Sequence, residues 1–261
     1  MVLADTPACP STNSWHEVSV GDAGPSFVWL HGWGQDLSAF DKLVSLFAGS
    51  GQHRLFDQPG FGKTPIANTE ADTRDYADRL AGILKGTGPH IFVGHSFGVR
   101  VSIQMAANHP ELVSVIIGIA GAGLLRKRSL FFKTKARMTK TWGQATRLID
   151  RIFNTSLRSN FETRFGSSDY RNAGALRTTF VKVITEDLSP QAAQTTCPVC
   201  LIYGENDSET PPEFGKRYAK IMPNAAFYEL PGFNHWDILT RGAYQCEAII
   251  KQFLDKSSLN D

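Results

Sequence analysis

Cysteine is scarce: Cys9, Cys197, Cys200 and Cys246 are the four in 261 residues. That is too few for a disulfide-stapled scaffold in a chain of this length. Cys197 and Cys200 form a CxxC, but no second CxxC, HxxxH or CxxH lies near enough to complete a zinc site. The pair reads as two small apolar residues entering a buried strand. Long apolar runs are missing too. The most apolar segment, VSVIIGIAGAGLL at 113–125, is shorter than a bilayer crossing and rich in glycine. It suits a buried strand and its exit loop. The opening MVLADTPACPSTNSW has neither a basic start nor a continuous apolar stretch. No signal peptide is predicted, and a cytoplasmic, soluble protein without an integral membrane segment is expected. There is also no excess of charge of one sign. Lys and Arg total 27 against 25 Asp and Glu, and a net +2 gives no reason to expect nucleic acid. Repeats and low-complexity linkers are absent. With 42% hydrophobic and 20% charged residues, the composition excludes disorder, collagen-like repeats and coiled coil.

What is present is an alternation of short apolar runs with helical periods. Strands are predicted over 15–20 (WHEVSV, alternating like an edge strand), 26–30 (SFVWL), 53–56, 90–93, 113–119, 199–203 and 226–230. Helices are predicted over 36–48, 73–84, 97–108, 213–221 and 242–253. This order implies right-handed crossovers and a mostly parallel sheet with helices on both faces. The rhythm breaks between 121 and 188, a basic and aromatic stretch with helical periods around 133–153 and 173–184. An excursion between two strands of one sheet is expected to be a helical cap at 121–188, with the core at 1–120 and 189–261.

Gly94-His95-Ser96-Phe97-Gly98 is a G-x-S-x-G between an apolar strand and a helix. That context makes it a sharp turn whose serine projects from the carboxyl edge of the sheet. The flanking glycines leave room for the turn, and the helix N-terminus favours negative charge at the site. A serine hydroxyl needs a base to take its proton. On this topology the acid and then the histidine should follow the serine. Of His16, His31, His53, His90, His95, His109 and His235, only His235 follows the excursion, in a loop at the same edge. The acid should end the preceding strand, in Gly204-Glu205-Asn206-Asp207-Ser208. Asp207 is preferred and Glu205 is its rival. The exit of the 113–119 strand, Ala120-Gly121-Ala122-Gly123, supplies no acid. Two N–H donors should hold an oxyanion, those of Phe97 and of Trp33 in the loop His31-Gly32-Trp33-Gly34. His31 is read as a buried histidine that holds this loop.

In HGWG at 31–34, DQPGFGKT at 57–64, GHSFG at 94–98, GENDSETPP at 204–212 and FNHW at 233–236, the sequence resembles the α/β-hydrolase superfamily. The motifs stand in that superfamily's order from about residue 26 to residue 253. The resemblance implies an eight-stranded, mostly parallel sheet and a helical cap over Ser96, with neither a metal nor an organic cofactor. The serine at position 96 sets the chain apart from epoxide hydrolases and haloalkane dehalogenases, which use aspartate there. Gly34 stands where cofactor-free haloperoxidases usually carry proline. Compact bacterial carboxylesterases remain, and the chain resembles those of the pimeloyl-carrier-protein methyl esterase type in its HGWG and PGFG loops; hydrolases of carbon–carbon bonds also remain.

The excursion concentrates positive charge. Arg126, Lys127, Arg128, Lys133, Lys135, Arg137, Lys140 and Arg147 precede its first acid, Asp150, and without these eight the formal charge of +2 becomes −6. Aromatic and apolar residues interleave with them, as on an amphipathic lid helix with a solvated basic face. The alternatives are a dock for an acidic carrier or carboxylate-bearing ester, with Arg126, Arg137 and Arg147 as candidate substrate-binding residues, or an anionic membrane surface. The expected activity is carboxylic ester hydrolysis through an acyl-enzyme on Ser96, with a small-molecule or carrier-linked acyl ester as substrate. Thioester or carbon–carbon hydrolysis on the same residues, and a non-catalytic ligand-binding receptor on the same fold, are the alternatives.

Overall fold

The structure is a computed structural model that describes residues 14–125 and 172–258. Seven strands make one sheet: β1 (Glu17–Val20), β2 (Ser26–Leu30), β3 (Gln52–Phe56), β4 (His90–His95), β5 (Val113–Ile119), β6 (Val199–Gly204) and β7 (Ala225–Leu230). Their order is β1-β3-β2-β4-β5-β6-β7. Only β1 is antiparallel, paired with β3 at one edge; all other neighbours run parallel. The eight strands implied by the resemblance are therefore seven among the described residues.

The central strands explain the architecture. Every residue of β4 and of β6 is buried, as a strand covered on both faces must be. Alternate residues serve opposite layers. Val28 and Leu30 of β2 join a core with α2 (Thr73–Leu84), α3 (Phe97–Asn108), α5 (Ser189–Gln194) and α6 (Pro212–Ile221). Phe27 and Trp29 join the other, with α1 (Asp41–Leu46) and α7 (Ala243–Ser258). Burying a side chain of this size contributes about 1.5–3 kcal/mol before conformational entropy is counted.

Two helices begin differently from expectation. The 36–48 period divides into a 3-10 turn, Leu37–Phe40, and α1. Leu37, Phe40 and Leu43 recur every third residue, which suits three residues per turn. Asp36 caps that turn by accepting from the Ser38 N–H at 2.9 Å. The 173–184 period likewise opens with a 3-10 turn, Gly174–Leu176, before α4 (Arg177–Thr185).

The end of α4 is tied to the core through polar groups. Glu186 accepts from the Thr73 backbone N–H at 3.0 Å and from its hydroxyl at 2.6 Å, at the N-terminus of α2. Gln104 of α3 donates to the same hydroxyl at 3.0 Å. A carboxylate at a helix N-terminus meets unpaired N–H groups and the positive end of the helix dipole.

Candidate active site

Ser96 sits between β4 and α3 with φ 49° and ψ −102°. A left-handed φ at a non-glycine residue costs about 1–3 kcal/mol and is held only by its surroundings. Here the Ser96 N–H donates to the Ile119 carbonyl at 3.0 Å, while its own carbonyl accepts from Ala122 at 3.3 Å. The turn also requires its glycines. A Cβ at Gly94 would lie 2.7 Å from backbone atoms at Gly98 and Val99, and one at Gly98 would collide with the Leu30 carbonyl of β2. α3 can thus start directly against the sheet, with half-buried Ser96 at its head.

Asp207 and His235 meet across the loops after β6 and β7. The His235 Nδ1–H donates to Asp207 Oδ2 at 2.7 Å, and both residues are buried. This bond assigns the proton of the neutral ring to Nδ1 and leaves the lone pair on Nε2. The other Asp207 oxygen accepts from the N–H groups of Glu209 and Thr210, each at 2.8 Å. The Thr210 hydroxyl lies 2.9 Å from Asp207 Oδ2, 3.1 Å from His235 Nδ1 and 2.8 Å from the Ala120 carbonyl, so it joins the acid to the exit of β5. Glu205 is exposed and turns elsewhere, accepting from the Gly232 N–H at 3.0 Å.

His235 reaches the serine turn through His95. His95 Nε2 lies 3.0 Å from the His235 carbonyl oxygen, and the two rings are 4.8 Å apart. Among the described residues, no hydrogen bond joins the Ser96 hydroxyl to His235 itself. Burial, reinforced by the neighbouring His235, pushes the pKa of His95 down to about 3.

The loop after β2 carries Trp33. His31 is fully buried, and burial holds it below the ordinary histidine range. Its Nδ1–H donates to the Gly32 carbonyl at 2.8 Å, and its Nε2 accepts from the Gln58 N–H at 3.0 Å. It thus links this loop to the one after β3. The Trp33 ring stands 5.5 Å from Phe97, 5.0 Å from Phe61 and 5.0 Å from Phe180 of α4. Trp33 and Phe97 therefore adjoin beside Ser96. Phe97 opens α3, so its N–H has no intrahelical carbonyl partner. The result is a serine at a helix head, a buried Asp–His pair and an aromatic wall at one sheet edge.

Arg126, Arg137 and Arg147, and the predicted 133–153 helix, lie outside the described residues. Cys200 is buried in β6 and Cys197 just before it is partly buried; burial raises both thiols, Cys197 to about 11. Among the described residues no three His, Cys, Asp or Glu side chains gather as a metal site would require. No described helix is long and apolar enough to cross a membrane. Sequence reasoning left Gln35, His95, Thr210 and Phe180 without a role. The signals for three of them were positional: His95 one residue before the serine, Thr210 three after the acid and Gln35 one after HGWG; Phe180 had only its place in the 173–184 helical period.

Comparison with known proteins gives a consistent picture. A model of the alpha/beta hydrolase family matches residues 27–243. The chain is 27% identical over 239 residues to a pimeloyl-[acyl-carrier protein] methyl ester esterase of Chromobacterium violaceum, covering 83% of this chain and 89% of that protein. It is 23% identical over 229 residues to a 2-(acetamidomethylene)succinate hydrolase of Mesorhizobium japonicum, covering 82% of each. Among solved structures, the enol-lactonase of Burkholderia xenovorans superposes with a TM-score of 0.69 at 17% identity, covering 92% of this chain and 96% of that one.

Proposed function

The chain belongs to the alpha/beta hydrolase family, and from that premise we propose that it is a serine hydrolase cleaving a carboxylic ester through an acyl intermediate on Ser96. The observation that carries this reading is the buried 2.7 Å bond from His235 to Asp207, at the sheet edge where Ser96 stands in strained backbone. The ring so held has a basic nitrogen to offer, and a serine at a helix head has little reason to adopt a left-handed φ unless its side chain must project.

Ser96 Oγ attacks the ester carbonyl while His235 Nε2 takes the hydroxyl proton. Asp207 keeps the proton of the neutral ring on Nδ1 and stabilises the imidazolium that forms. The N–H groups of Trp33 and Phe97 receive the carbonyl oxygen as it becomes negative. As the tetrahedral adduct collapses, the carbon–oxygen bond to the alcohol breaks and His235 returns its proton to the departing alkoxide. Water then attacks the acyl group with His235 as base, and the acid leaves from Ser96. Most of the expected 121–188 cap, residues 126–171, lies outside the described residues. Of its described part, Phe180 meets Trp33, which also meets Phe61, and we assign these three rings to the acyl side. Similarity to a carrier-protein methyl esterase favours an ester over a thioester or a carbon–carbon bond.

The test is a panel of p-nitrophenyl esters, acyl thioesters and vinylogous diketones, run on the wild type and on Ser96→Ala. Ester turnover should dominate and should fall on the order of 10⁶-fold in the variant. A fluorophosphonate should label Ser96. Undiminished ester hydrolysis by Ser96→Ala would remove the assignment, and an unlabelled, inactive wild type would favour a ligand-binding receptor.

A further inference from the structure

His95 is spent on neither the core nor the proposed chemistry. It is the last residue of β4, fully buried, and its ring lies between two loops that no backbone pairing joins. The loop after β2 comes from the strand beside β4, whereas the loop after β7 comes from a strand three places away on the other side. Any coupling between them must pass through side chains.

The contacts are specific. His95 Nδ1 lies 2.9 Å from Gln35 Oε1, and that oxygen also accepts the Gly32 N–H at 2.8 Å. On the other side, His95 Nε2 lies 3.0 Å from the His235 carbonyl oxygen. The bridge thus runs from the backbone beside Trp33, through Gln35 and His95, to the backbone of His235. It is tightly built: a Cβ at Gly32 would fall 2.5 Å from Gln35 Oε1 and 2.8 Å from His95 Nδ1. The Gly32 N–H fixes which end of the Gln35 amide is oxygen, so both ring nitrogens of His95 face acceptors. A neutral imidazole donates to one of them at a time.

We propose that His95 is a positioning residue that sets the separation of the oxyanion-forming loop from the His235 loop, with Gln35 as its arm. This rests on the serine-hydrolase reading above and assigns it a further part. A nucleophile, its base and two oxyanion donors must share one geometry in the transition state. An error of about 1 Å among them costs on the order of 10²-fold in rate. The loops come from separate strands, so a rigid strut between them serves that geometry better than either loop alone. Because the strut touches no substrate, its loss should fall on kcat and spare KM.

The test uses isosteres. Asparagine places its amide N–H₂ near the Nδ1 position and glutamine near Nε2. His95→Asn therefore keeps a donor towards Gln35, and His95→Gln keeps one towards the His235 carbonyl. His95→Leu keeps neither. With a p-nitrophenyl ester, kcat in His95→Leu should fall about 10- to 100-fold with KM within about twofold, and His95→Asn and His95→Gln should recover part of the loss. Gln35→Leu, at a half-buried position, should lose kcat by a comparable factor. The double variant should be no worse than His95→Leu alone, since both break one bridge. Fluorophosphonate should label Ser96 in these variants to full amplitude but more slowly. Unchanged kcat in Gln35→Leu, or losses at 35 and 95 that multiply, would overturn the proposal. Failure of the serine reading looks different: Ser96→Ala would stay active, or the wild type would take no label.

Discussion

At the scale of single residues, Asp207 and Glu205 lie two positions apart in one loop and meet different fates. Asp207 is buried against His235 Nδ1, whereas Glu205 is exposed and holds the Gly232 N–H. Asp207→Asn should keep an oxygen for the Glu209 and Thr210 N–H groups, so the loop should hold. The amide cannot stabilise an imidazolium, and its N–H₂ pushes His235 towards the wrong tautomer. We expect kcat to fall about 10³- to 10⁴-fold with the fold intact, measured by single-turnover kinetics beside circular dichroism. Glu205→Gln should stay within about twofold. Equal losses in both would mean that the loop, not the carboxylate, is what matters. The preference for Asp207 was legible in the sequence because loop length after a parallel strand limits which acid can bend back over the edge. Thr210 and His95 were not legible. The contacts that bring them to the site run across 25 or 140 residues, and no local pattern encodes that.

At the scale of elements, periodicity located β2, α2, α3 and β5 to the residue, because β2 and α2 end at a change of polarity (His31, Lys85), α3 ends just before His109-Pro110 and β5 ends just ahead of the glycine-rich stretch opening at Gly121. It did not foresee the 3-10 openings of the helical stretches at 36–48 and 173–184, since apolar spacing of three or four residues reads alike over one turn. Nor did it show what anchors α4. Glu186 does so by receiving two hydrogen bonds from Thr73 at the head of α2. Burial nevertheless holds its carboxyl above the ordinary carboxylate range. The folded state therefore keeps this proton to higher pH than the unfolded chain does. The stability linked to it is fully present below the unfolded value and declines as pH rises through the folded pKa. Glu186→Gln mimics the protonated group and does not ionise. Its stability relative to the wild type should therefore increase between about pH 4 and about pH 7, read from urea midpoints. A constant difference across that range would refute the sign. Glu186→Ala should instead lose about 1–3 kcal/mol at either end. It should also raise KM, because Phe180 on α4 meets Trp33 at 5.0 Å.

At the scale of the whole molecule, the eight cations between 126 and 147 oppose a formal −6 carried by the rest of the chain. A chain of net +2 has no strong field at a distance, so attraction for an anion should be local and should act within a Debye length of about 10 Å at 0.1 M salt. This separates the dock from the solvated helix face, two readings that the sequence leaves open. If the basic stretch receives an acidic carrier, KM for a carrier-linked ester should rise steeply with salt, while KM for a neutral p-nitrophenyl ester should not move. Combining Arg126→Glu, Arg137→Glu and Arg147→Glu should raise the carrier-linked KM about tenfold at low salt and remove most of its salt dependence. The neutral ester serves as the internal control, since it samples the proposed catalytic residues Ser96, His235 and Asp207 without the field. Equal salt dependence for both esters would place the effect on the catalytic edge and make the basic stretch a solvated surface. If the charge-reversed protein keeps the wild-type carrier KM, an electrostatic dock at those arginines is excluded even where the esterase chemistry stands.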